Sequence, residues 1–276
     1  VRVFFLQTSM KNAAKGSQFK PYRIHVIGAG TMGGDIAAWC AYKGFYVTLQ
    51  DQSPEKIAPA IKRAYQLYKK KLKAPRLIQA VMDRLQPDVN AYGLANADLV
   101  IEAVFEDIAV KHEILRKIEP QLKPHAIIAS NTSSLSLADI ASALTHPERL
   151  VGIHFFNPVA KMPLVEIVQG PVTSPSVITD AARFVTKISR SPLVVKDSPG
   201  FLVNRILMPY LMEAMLLMGE GFDADTIDRI AVDFGMPMGP IELADTVGLD
   251  ICLHAAETLT RSLGGDVPAL LKKTVE

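Results

Sequence analysis

The sequence predicts an α/β fold: a doubly wound parallel sheet with a helical hairpin insertion, followed by a smaller all-α domain. Three observations predict it. Short β-rich runs alternate with helical stretches from Tyr22 onward, the signature of βαβ units. A glycine-rich turn joins the first run to an Ala-rich helix. Beyond Ser198 the strand-like runs stop and the apolar spacing becomes helical. These divide the chain into a linker over 1–20, a first domain over 21–198 and a helical domain over 199–276.

The segment QTSMKNAAKGSQFK is polar, basic and without periodicity, so it reads as a linker into the first strand. Then come the strand-like runs IHVIGA, FYVTLQ, ADLVIEAV, AIIAS and RLVGIHFF, with helical stretches between them. Crossovers between parallel strands are right-handed, which places helices on both faces. From Pro54 to Arg84 a long helical stretch is broken at Ala74-Pro75, giving a hairpin from which Lys69, Lys70, Lys71 and Lys73 project. Their plainest role is a solvated face rather than a phosphate contact. After PLVVKDSPG the spacing Phe201, Leu202, Ile206, Leu207, Tyr210, Leu211, Ala214, Met215 is helical, and further helices are expected from Asp225, Pro240 and Asp266.

Composition narrows the function classes. The chain has 276 residues, 49% of them hydrophobic, enough for a sizeable core. Thirty basic against 28 acidic residues leave a net charge of +2, too small a field to indicate nucleic acid. Cys40 and Cys252, the two cysteines, lie in apolar helical patterns without metal-ligand spacing, so neither a disulfide framework nor a metal is expected. Apolar runs are too short for membrane insertion, and the N-terminus lacks a secretory cleavage pattern, so a cytoplasmic location is expected.

The run IHVIGAGTMGGDIAAWC holds Gly28, Gly30 and Gly33 as GxGxxG between a strand and a helix. That context points to a Rossmann-type dinucleotide site. Gly28 permits the tight turn, Gly30 lets backbone approach a pyrophosphate, and Gly33 lets helix pack on strand. The helix N-terminus adds N–H groups and a partial positive charge. Thr31 and Met32, between the glycines, are counted with them as cofactor-binding. Asp51 ends the second strand, where a carboxylate accepts from ribose hydroxyls and repels a 2′-phosphate, so NAD is the expected cofactor rather than NADP.

Two strand ends carry the candidate chemistry. One runs into Ser130, Asn131, Thr132, Ser133 and Ser134; the other ends at His154, with Asn157 after it and Glu166 on the next run. Of six histidines, only His154 ends a strand at the expected cofactor rim. Oxidising a secondary alcohol needs a base effective near neutral pH, and an imidazole steadied by Glu166 meets that need. A buried histidine satisfied by a carboxylate for structural reasons is the competing reading. Ser133 and Asn204 are candidate donors to the substrate oxygen.

These residues resemble the NAD-dependent L-3-hydroxyacyl-CoA dehydrogenases of fatty-acid β-oxidation. The resemblance runs from Arg23 to Glu276 through VIGAGTMGGDIA, ADLVIEAVFED, SNTSSL, HFFNPV and KDSPGFLVNRI. It implies that His154 and Glu166 are the catalytic pair and that Ser133, Asn157 and Asn204 meet the substrate. Glu106, Lys111 and Asn131 would contact NAD, and the basic hairpin would help bind coenzyme A. It also implies oxidation of (S)-3-hydroxyacyl-CoA, a homodimer through the helical domain, and a parent protein complexed with a thiolase. The N-terminal segment is similar to the linker of multifunctional enzymes that join an enoyl-CoA hydratase to the dehydrogenase. The family has a further glycine-rich, aromatic segment where this chain stops at LLKKTVE, so a central piece of a longer protein is expected. A related dehydrogenase of a free hydroxy acid, and a fragment that binds NAD without turnover, are the alternatives.

Overall fold

A strand buried on both faces must be apolar along its whole length, and the runs LVIE, IIAS and LVGIHF are nearly so. In the computed structural model, which describes residues 2–275, the chain forms two units that divide between Asp197 and Ser198. The first contains α1 (Arg2–Asn12), β1 (Arg23–Ile27), α2 (Thr31–Tyr42), β2 (Tyr46–Gln50), α3 (Pro54–Lys71), α4 (Pro75–Met82), β3 (Leu85–Pro87) and β4 (Leu99–Glu102). It continues with α5 (Ile108–Ile118), β5 (Ile127–Ser130), α6 (Leu137–Ala141), β6 (Leu150–Phe155), β7 (Leu164–Gln169), α7 (Pro175–Lys187) and β8 (Ser191–Lys196).

The strands form one sheet in the order β3-β2-β1-β4-β5-β6-β7-β8. Strand order reverses between β1 and β4, the place where a doubly wound sheet opens a crevice for ligands. Every residue of β4, β5 and β6 is buried. Each Leu, Ile or Val removed from water there stabilises the fold by about 1.5–3 kcal/mol. Helix α2 joins that core through Ile36, Ala37 and Ala38, and Trp39 ties it to the end of α7 by donating from Nε1 to the Ile188 carbonyl at 2.9 Å.

In the first unit three features depart from the sequence expectation. The sheet is not wholly parallel: β7 runs antiparallel to β6, and β8 is parallel to β7. Only residues 156–163 separate β6 from β7, too few for the dozen or more a parallel crossover needs, so the chain turns straight back. The expected linker contains α1, which packs on β8. The edge strand β3 was not foreseen, because three residues carry no alternation to detect.

The second unit comprises α8 (Val203–Gly219), α9 (Ala224–Phe234), α10 (Pro240–Val247), α11 (Leu249–Leu263) and α12 (Ala269–Val275). Met208, Leu211, Met215, Cys252, Ala256 and Leu259 form its core. The single helix expected from Pro240 is two, because Gly248 adopts φ 105°, outside helical backbone. No described helix is long and apolar enough to cross a membrane.

His25 is fully buried within β1, its Nδ1 2.7 Å from Thr48 Oγ1 and its Nε2 2.8 Å from Gln50 Oε1. Burial pushes its pKa below the ordinary 6.5, against the opposing pull of Gln50 and Asp88. The unfolded chain therefore takes up this proton first as pH falls, and stability declines from 6.5 downward. Thermal melts between about pH 7.5 and about pH 5.5 are expected to show a smaller acid-induced loss of Tm in His25→Gln than in the wild type; equal losses would remove His25 as a source.

Candidate active site

The turn after β1 is shaped by contacts that only glycine allows. Gly28 has φ 98°, and a Cβ there would lie 2.5 Å from the Ala103 carbonyl oxygen. A Cβ on Gly33 would lie 1.9 Å from the oxygen of Gly28, so this glycine seats the first turn of α2 on the loop. Gly30 differs, since a Cβ there would meet nothing within 4 Å. The fold's own packing does not demand Gly30; it keeps the approach to the backbone open, as close contact with a pyrophosphate requires. Exposed Thr31 and half-buried Met32 begin α2, whose N-terminus has no side-chain cap. Its first N–H groups suit an anion.

Asp51 follows β2 and is held by its surroundings. Its Oδ2 accepts from Ala29 N at 2.7 Å, and its Oδ1 accepts from Gln52 N at 2.7 Å. A carboxylate is thereby fixed beside the glycine loop. From α3, Arg63 donates to the Gly30 carbonyl at 2.9 Å and pairs with Asp35 at 3.2 Å. This donor set, with its open Gly30 and anchored Asp51, fits NAD.

The reversal between β6 and β7 puts His154 directly opposite Glu166 in the register. Their side chains meet at 2.8 Å, Nδ1 to Oε2, with His154 at 6% and Glu166 at 0% exposure. An ionised carboxylate only accepts, so the ring nitrogen facing it is the protonated one, and Nε2 is the basic nitrogen. The Phe156 ring lies 4.5 Å from the imidazole, centroid to centroid. Asn131 ties the neighbouring strand end to this pair, its Oδ1 accepting from Phe155 N at 3.0 Å. Asn157 is exposed on the turn that follows.

A second constellation joins the ends of β4 and β5. Glu106 Oε1 accepts from the Thr132 hydroxyl at 2.5 Å, Ser133 N at 2.8 Å and Ser134 N at 3.1 Å, with the Ser133 hydroxyl at 3.4 Å. Lys111 lies between two carboxylates, 2.7 Å from Glu102 and 3.3 Å from Glu106. Burial raises the carboxyl pKa of Glu106, but the Lys111 ammonium and the donors from Thr132 and Ser133 outweigh it, and the net shift is downward. The resemblance puts Lys111 on the cofactor; its side chain is 1% exposed and spent on these two acids. Glu102 was not singled out from sequence. It ends an apolar strand, and its partner lies nine residues on across a strand-to-helix turn, a pairing that no local spacing marks. Asn204 stands in the first turn of α8, in the second unit.

With this geometry in place, comparison with known proteins decides the family. The 3-hydroxyacyl-CoA dehydrogenase NAD binding domain matches residues 23–198, and the C-terminal domain of the same family matches residues 200–276. The chain belongs to the 3-hydroxyacyl-CoA dehydrogenase family. A fatty acid oxidation complex subunit alpha of Shewanella putrefaciens is 40% identical over 270 residues, covering 95% of this chain and 38% of that protein. The chain thus spans well under half the length of such relatives. Among solved structures, FadB2 of M. tuberculosis has a TM-score of 0.89 at 33% identity, covering 92% of this chain and 93% of that one. The (S)-3-hydroxybutyryl-CoA dehydrogenase PaaH1 of Ralstonia eutropha has a TM-score of 0.87 at 33% identity, covering 93% and 94%.

Gly33→Ala tests the loop. The added methyl would collide with the backbone oxygen of Gly28, at a cost of about 3 kcal/mol. A clear drop in Tm, together with weakened NAD binding by calorimetric titration, is expected; a variant matching the wild type in both would contradict the packing described.

Proposed function

We propose that this chain oxidises the 3-hydroxyl of an (S)-3-hydroxyacyl-CoA to the 3-oxo thioester. The observation that carries the reading is the 2.8 Å contact between His154 and Glu166 at the rim of a dinucleotide fold. NAD, when bound, supplies the hydride acceptor. His154 Nε2 takes the hydroxyl proton as the hydride leaves the same carbon. Glu166 holds the tautomer and stabilises the imidazolium that forms. Ser133 turns its hydroxyl from the long 3.4 Å contact with Glu106 to donate to the substrate oxygen, supporting alkoxide character as the proton departs. Asp51 receives the adenosine ribose hydroxyls, and the α3–α4 hairpin with its basic end offers charge to the phosphates of coenzyme A. The name of the Shewanella relative, a complex subunit, supports assembly of the parent protein into a larger complex, and a thiolase is the partner this reading assigns to it. A homodimer through the helical unit and a cytoplasmic location complete the reading.

Formation of NADH, followed by absorbance with 3-hydroxybutyryl-CoA and a free 3-hydroxy acid side by side, tests it. Turnover confined to the thioester is expected. Turnover of the free acid alone, or NAD binding with neither substrate consumed, would replace this reading with one of its alternatives. His154→Gln is expected to lower kcat by about 10²- to 10⁴-fold with NAD affinity nearly unchanged, and equal rates would remove the base assignment. In Asp51→Ser the preference for NAD over NADP should shrink; an unaltered ratio counts against the ribose contact.

A further inference from the structure

Glu102, Lys111 and Glu106 place two carboxylates around one ammonium. Lys111 is 2.7 Å from Glu102 and 3.3 Å from Glu106, and among the described residues no second cation pairs with either acid. Glu102 is fully buried and further anchored, accepting from Val104 N at 2.8 Å and from the Ser130 hydroxyl at 2.7 Å. Glu106 retains 24% exposure and spends its second oxygen on the turn that holds Thr132, Ser133 and Ser134. Formally the cluster carries one uncompensated negative charge, on the acid nearer the surface.

Its place in the fold gives that charge a neighbour. Asp51, beyond β2, fixes the adenosine end of a dinucleotide on the β1–β3 side of the switch point. The other end then lies over β4 and β5, whose following loops carry Glu106 and the 132–134 turn. The nicotinamide ring is a cation when oxidised and neutral when reduced. A fixed negative charge beside it therefore favours the oxidised form by differential binding.

We propose that Glu102, Lys111 and Glu106 act as one positioning unit that holds the Ser133 turn and biases the nicotinamide site toward NAD over NADH. Lys111 locks the Glu106 carboxylate against rotation, and Glu102 locks Lys111. Glu106 in turn supplies the acceptor that the Ser133 and Ser134 amides need. The proposal rests on the dehydrogenase reading only for the identity of the cofactor and for the role of Ser133.

The two roles separate by substitution. Glu106→Gln keeps an oxygen for the Thr132 and Ser133 donors but removes the charge. The ratio of the NAD to the NADH dissociation constant, from fluorescence titration without substrate, should rise roughly 3- to 10-fold, the scale of one charge acting across a partly solvated site. Glu102→Gln should move the ratio the same way. Glu106→Asp keeps the charge but has a shorter reach toward Ser133 N. It should leave the ratio near that of the wild type while kcat falls more than KM changes. A purely structural knot would weaken NAD and NADH equally, so a constant ratio in folded Glu106→Gln and Glu102→Gln overturns the charge bias. An unchanged kcat in Glu106→Asp overturns the positioning role. A wild type that binds neither nucleotide fails the cofactor reading itself, a result distinct from a wild type that binds both while the variants keep its ratio.

Discussion

The contact between His154 and Glu166 depends on a change of strand direction. Had β7 continued the parallel pattern, a crossover would have carried residue 166 elsewhere in the sheet. The short return over residues 156–163 instead lays β7 against β6 in antiparallel register, with the two residues opposite one another. Directly opposed residues bring their Cβ atoms to about 4.5–5.5 Å, which an imidazole and a carboxylate span with one hydrogen bond. Both side chains are then buried, so neither ring nor carboxylate has freedom to wander. The orientation of the imidazole is a property of the sheet rather than of a loop.

The remaining polar groups of the rim are fixed by buried charge. Two acids sharing Lys111 would be costly in a dry interior if any partner were missing, because an unpaired buried charge forfeits its hydration. Here each acid also accepts from neutral donors: the Ser130 hydroxyl and Val104 N for Glu102, the Thr132 hydroxyl and the Ser133 and Ser134 amides for Glu106. The network joins the loops after β4 and β5 at the same rim that carries the glycine turn, where Gly28 comes close to the Ala103 carbonyl. Rigidity at these strand ends serves a site whose reacting groups must meet within hydrogen-bond distance.

The glycine turn was legible in the sequence because much of its constraint is local. Gly28 needs a positive φ and Gly33 meets the backbone oxygen of Gly28, and the sequence spacing records both directly; the approach of Gly28 to the Ala103 carbonyl, beyond the end of β4, arises only in the folded sheet. The strand-and-helix alternation, the hairpin broken at Pro75 and the helical second unit were legible for the same reason: periodicity and proline act within a few residues. The break at Gly248 was not, since an isolated glycine in a helical pattern is compatible with either a continuous helix or a turn.

By itself, then, the sequence determined the order and type of most elements, the dinucleotide turn, and the residue types from which a base and its partner could be drawn. The tertiary structure decided the antiparallel return that sets Glu166 on His154, and the ion cluster that links Glu102, not singled out within its motif, through Lys111 and Glu106 to the Ser133 amide. The physical reason is range. Backbone conformation and amphipathic spacing are set by neighbours along the chain, whereas strand direction and buried charge pairing are settled among residues that meet only after the sheet has formed.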